Sequence, residues 1–82
     1  MHEAMLTDAS LLIGLGRLDE ADRVLSEMLR QASAAGDEQL AGRALEGLGA
    51  IASERGQEAQ ALHLYEQAIK RGGRPDPTER ES

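Results

Sequence analysis

Apolar residues recur along this chain at three- and four-residue steps, and polar, Gly-containing breaks separate the runs. That period is helical, because residues three and four apart share one face of an α-helix, whereas a half-buried strand alternates every second residue. A first helix is predicted over about residues 3–15. Met5, Ala9 and Leu12 form its stripe, and Ala4, Leu11 and Leu15 widen it. Gly14 weakens its end, and Gly16 can close it in the left-handed conformation. A second helix begins near Leu18 or Asp19. Asp19 is the expected N-cap, with Glu20 and Asp22 in the first turn, where negative charge suits the helix dipole. Leu18, Ala21, Leu25, Met28 and Ala32 make its stripe, Val24 and Leu29 broaden it, and Gly36 ends it.

The third helix opens after Asp37, a second N-cap candidate. Leu40, Ala41, Ala44, Leu45, Leu48, Ile51 and Ala52 form its apolar face. Gly42, Gly47 and Gly49 interrupt this pattern, each at a cost of about 1 kcal/mol relative to Ala in a helix interior. Three such residues imply close approach of a neighbouring backbone; the alternative is a break near Gly47-Leu48-Gly49. A fourth helix is predicted over about residues 57–71, with Ala61, Leu62, Leu64, Tyr65, Ala68 and Ile69 on its apolar face and Gly72-Gly73 as its stop. Residues 74–82 hold two prolines and nothing apolar to bury, so they are predicted to be a disordered tail. No run reads as a strand, and short joints place successive helices antiparallel. The predicted fold class is all-α: two stacked antiparallel helical hairpins in one domain over residues 1–73.

The chain also repeats itself. Gly16-Arg17-Leu18-Asp19-Glu20-Ala21 returns forty positions later as Gly56-Gln57-Glu58-Ala59-Gln60-Ala61, and each is followed by large apolar residues. A repeat in the range of about 20 to 50 residues indicates stacked supersecondary units. The second copy (about residues 37–73) resembles the tetratricopeptide repeat (TPR). Leu45 stands at that motif's bulky position, Leu48-Gly49 at its Leu-Gly pair, and Gly56, Ala61, Tyr65 and Ala68 at its turn Gly, contact Ala, aromatic and second Ala. The first copy (about residues 2–36) is degenerate: Gly16 and Ala21 match, Leu25 replaces the aromatic, Ala9 the first Gly and Met28 the second Ala, and Asp8 sits where Leu is expected. The forty-residue spacing exceeds the commoner period of about 34, which lengthens the helices beside the inter-repeat joint by about one to two turns. Gly73 also stands in the usual place of the motif's helix-ending Pro. A plain four-helix bundle with coincidental small residues is the competing architecture.

Composition narrows the partners. The formal net charge of −6 disfavours phosphate backbones and anionic membrane surfaces. No apolar run approaches the roughly 20 residues needed to span a bilayer. The first residues, Met1-His2-Glu3-Ala4-Met5, lack the basic segment and apolar core of a secretory signal. Cys is absent, which fits a reducing, cytoplasmic setting and excludes disulfides and thiolate zinc sites. Arg outnumbers Lys eight to one, a bias of GC-rich bacterial genomes that bears on no mechanism. A domain of 82 residues without disulfides gains little from its own core, so self-association is the expected support.

The resemblance implies a groove lined by the inner helix of each pair. It assigns Glu3, Leu6, Thr7, Ser10 and Ile13 from the first helix, and Arg43, Glu46, Gly47, Ala50, Ser53 and Glu54 from the third, as the partner-binding surface. The Lys and Asn side chains with which chaperone-binding members of the family hold a peptide carboxylate are missing from that surface. Gly47-Leu48-Gly49-Ala50-Ile51-Ala52 formally fits G-x-G-x-x-A, but that dinucleotide pattern works only between a strand and a helix N-terminus, so no cofactor is expected. His63 and Glu66 can share a helical face; two ligands bind metal weakly, and a surface polar pair is the plainer reading. The hydroxyls of Thr7, Ser10, Ser26, Ser33, Ser53, Thr78 and Ser82 have no evident base arranged beside them, so no nucleophilic catalysis is expected. Tyr65, the sole aromatic, is expected to pack between helices. The predicted function is a non-catalytic protein or peptide scaffold. The alternatives are a self-associating module, with Leu62, Leu64 and Ile69 covered at a two-fold homodimer contact, or an accessory domain of a larger regulator.

Overall fold

A computed structural model describes the backbone of residues 2–72 and the side chains of residues 8–72. The predicted tail over residues 74–82 lies outside these. Four helices follow one another: α1 (His2–Gly14), α2 (Leu18–Ala35), α3 (Glu38–Glu54) and α4 (Glu58–Gly72). There is no strand among the described residues, and the fold is all-α. α1 packs on α2, and α3 packs on α2, α4 and, more lightly, α1. α3 is therefore the centre of the stack, and two helical hairpins lie side by side.

Each joint is closed by the same device. Gly16, Gly36 and Gly56 have φ of 78, 73 and 79°, the left-handed region that only Gly enters without strain. After each, the next residue donates back over the helix end: Arg17 N–H to the Leu12 carbonyl at 2.8 Å, Asp37 to Ala32 at 2.9 Å, and Gln57 to Ala52 at 2.8 Å. These paired bonds satisfy carbonyls that would otherwise end the helix unpartnered. The caps are twenty residues apart, so the forty-residue repeat contains two helix–turn units of equal length.

The helix starts differ from one another. Asp37 caps α3 as predicted, its carboxylate accepting from Leu40 N–H at 3.1 Å. Asp19 does not cap α2. The turn after Gly16 starts the helix at Leu18, with Arg17 in the cap position and no side-chain cap, so Asp19 falls inside the first turn. Its carboxylate instead accepts from the Arg55 guanidinium at 2.6 Å, and Asp22 lies 3.5 Å from the same guanidinium. Arg55 thus ties the end of α3 to the start of α2. Arg71 does the same one step on, pairing with Glu38 at 3.3 Å and reaching Ser33 Oγ at 3.1 Å, which links α4 to α3 and α2.

Burial follows the predicted stripes in α2 and α3. On the first helix Ala9 and Leu12 turn inward, but Leu11 and Leu15, expected to widen its stripe, are 61% and 62% exposed. The side chains of Ala4 and Met5 lie outside the described ones. Ala9, Ala21, Leu25, Met28, Ala32, Leu40, Ala41, Ala44 and Ile51 form one core among α1, α2 and α3, with Leu12, Ile13, Leu18, Val24, Leu29 and Leu48 half-buried against it. The seam between α3 and α4 is built from smaller residues. Leu45, Gly49 and Ala52 are buried on one side, and Ala61 and Ala68 on the other. α3 runs unbroken through Gly47-Leu48-Gly49, so the alternative of a break there does not hold.

The three interior glycines have different reasons. At Gly42 the neighbouring backbone does approach: an added Cβ would lie 2.8 Å from Gly72 Cα and 3.0 Å from the Ala68 carbonyl oxygen. At Gly47 and Gly49 the neighbour is a side chain, not a backbone. A Cβ would meet the Leu25 δ-methyls at 2.7 and 2.9 Å, and the Tyr65 ring at 2.9 Å. Tyr65 accordingly packs on α3, with part of its ring exposed. On α4 the predicted face is only half used: Ala61 and Ala68 are buried, whereas Leu62 and Ile69 are 62% and 61% exposed.

Candidate functional site

α1 and α3 border a cleft of about 480 Å³, lined by Ala9, Ser10, Ile13, Leu25, Arg43, Glu46, Gly47 and Ala50. It exists because the two helices meet only lightly while both pack on α2. Ala9 and Gly47 keep its walls low. Gly47, having no side chain, lets Leu25 of α2 reach the floor. The floor is therefore apolar, and the rim carries the Ser10 hydroxyl, the exposed Arg43 guanidinium and the half-exposed Glu46 carboxylate. Arg43 and Glu46 stand on a ridge: they also border a smaller cavity of about 190 Å³ between α3 and α4, with Gln39, Gly42, Ala68, Ile69 and Gly72.

Of the residues expected to bind a partner, the structure brings Ser10, Arg43, Glu46 and Ala50 to one cleft, together with Ile13 and Gly47. Glu3, Leu6 and Thr7 lie on the first turns of α1, and their side chains fall outside the described ones. Ser53 and Glu54 do not line the cleft. They sit in the last turn of α3, and Ser53 Oγ donates to the Glu58 carboxylate at 3.3 Å, across the joint to α4. Sequence reasoning did not place Leu25 at the floor. Its signal was Gly47, which reads as a gap on α3 but not as a gap opposite a particular α2 side chain.

The cleft offers weak chemistry and a shaped surface. No polar or charged side chain is buried among the described residues. His63 shares a hydrogen bond with Gln67 at 2.8 Å rather than pairing with Glu66, so its polar partner lies four residues on, not three. No grouping of three or more His, Cys, Asp or Glu side chains is placed to hold a metal among the described residues. Gly47 and Gly49 of the G-x-G-x-x-A pattern lie inside a helix, and the space beside them is filled by Leu25 and Tyr65. No helix among the described residues is long and apolar enough to cross a membrane. Comparison of the chain with protein-family models, with curated proteins and with solved structures found no match.

Proposed function

We propose that this chain is a non-catalytic protein-interaction module of the tetratricopeptide type, holding a peptide or a partner helix in the cleft between α1 and α3. The observation that carries the reading is the cleft itself. It has an apolar floor at Leu25 and Ile13, and a rim where one cationic, one anionic and one hydroxyl side chain stand within a few turns. Such a surface orients a short amphipathic segment through a few polar contacts while burying its apolar side chains. The stacked hairpins supply rigidity, which limits the ordering cost of association. The matching caps at Gly16 and Gly56, and the buried small residues at Ala21 and Ala61, support the repeat assignment.

The test is capture of partners by the intact chain, compared with an Arg43→Glu, Glu46→Arg variant and with an Ala50→Arg variant that fills the cleft. Partners held in the cleft are lost with Ala50→Arg, and their affinity falls by about tenfold or more, equivalent to at least about 1.4 kcal/mol. Unchanged partners would reject the cleft as the binding surface.

Self-association is a second reading, favoured by a separate observation. Leu62, Tyr65 and Ile69 fall at helical spacing on one side of α4 and are all exposed, outside the cleft.

A further inference from the structure

We draw no further inference here: the strongest candidate, the exposed patch of Leu62, Tyr65 and Ile69 on α4, carries none, because nothing in the structure shows what covers it.

Discussion

Helices α2 and α4 are counterparts forty residues apart, and they use the same positions to different depths. On α2, Ala21, Leu25, Met28 and Ala32 are all buried, between α1 on one side and α3 on the other. On α4 only the small residues Ala61 and Ala68 are buried; Leu64 is half-buried, and Tyr65 is 37% exposed where Leu25 is 1% exposed. The backbone pattern is common to both, down to the left-handed Gly16 and Gly56. What differs is the number of neighbours. A repeat unit completes its apolar face only when another unit stacks on it, so the same pattern is a core inside the stack and an exposed stripe at its end.

The largest effect that tests this contrast comes from the paired truncations Leu25→Ala and Tyr65→Ala. Leu25 is fully buried and touches the floor of the cleft, so its truncation costs about 2–5 kcal/mol, enough to unfold a domain of this size. Tyr65→Ala removes a larger side chain, but one that packs on α3 beside Gly49 and stays partly exposed, and it costs about 1–2 kcal/mol. Urea unfolding at low protein concentration, with the slope held constant between variants, measures both. Equal losses would mean that α4 is as well covered as α2, and the contrast would fail.

The fold was legible wherever one residue's role depends on its own helix. The stripes of α2 and α3, the three closing glycines and the Asp37 cap follow from period and local chemistry, without knowledge of what lies across the interface. Asp19 and the glycines of α3 show where that reasoning stops. Asp19 is a good cap residue two positions too late, because the Gly16 turn sets where α2 begins, and a residue 36 positions away claims its carboxylate. Gly42, Gly47 and Gly49 look alike in sequence, yet they face a backbone, an isobutyl group and a phenol ring. The same limit applies to the cleft. Ser10, Arg43, Glu46 and Ala50 share helix faces that a repeat motif can align, whereas Leu25 enters through a gap that only the packing of three helices creates.

Those glycines supply the next effect in size. In Gly42→Ala the new methyl meets the α4 backbone at Gly72 and Ala68, and backbone cannot rotate away. Overpacking of this kind costs about 1–3 kcal/mol, against about 1 kcal/mol gained in helix propensity, so the variant is destabilised and α4 shifts outward. In Gly47→Ala the methyl meets the ends of a flexible leucine side chain. The propensity gain of about 1 kcal/mol then offsets much of the contact, and the loss is smaller. Thermal unfolding followed by circular dichroism ranks the two. If Gly47→Ala proved the more damaging, the tight place in the molecule would be the α1–α2–α3 core, and the small-residue seam of α4 would be the looser one.

The smallest effect separates the outer faces of the same two helices by charge. Glu27 on α2 accepts from Arg30 at 2.6 Å and from Gln31 at 3.0 Å. Those hydrogen bonds, that from Arg30 foremost, hold its carboxyl below its ordinary value of 4.5. Its counterpart on α4 is Gln67, which has no proton to gain. A carboxyl whose folded value lies below its unfolded one binds protons more readily when the chain is unfolded. Its contribution to stability is therefore present above 4.5 and fades as the pH falls through the folded value. In Glu27→Gln that contribution is gone at every pH, so the variant's unfolding midpoint falls less steeply on acidification than the wild type's, and the two curves converge at the acid end. Because both side chains reach solvent, added salt shrinks the difference at neutral pH. Parallel curves for the two proteins would show that the Glu27–Arg30 contact survives unfolding as a local helical pair, and α2 and α4 would then differ in what they bury but not in how their outer faces respond to protons.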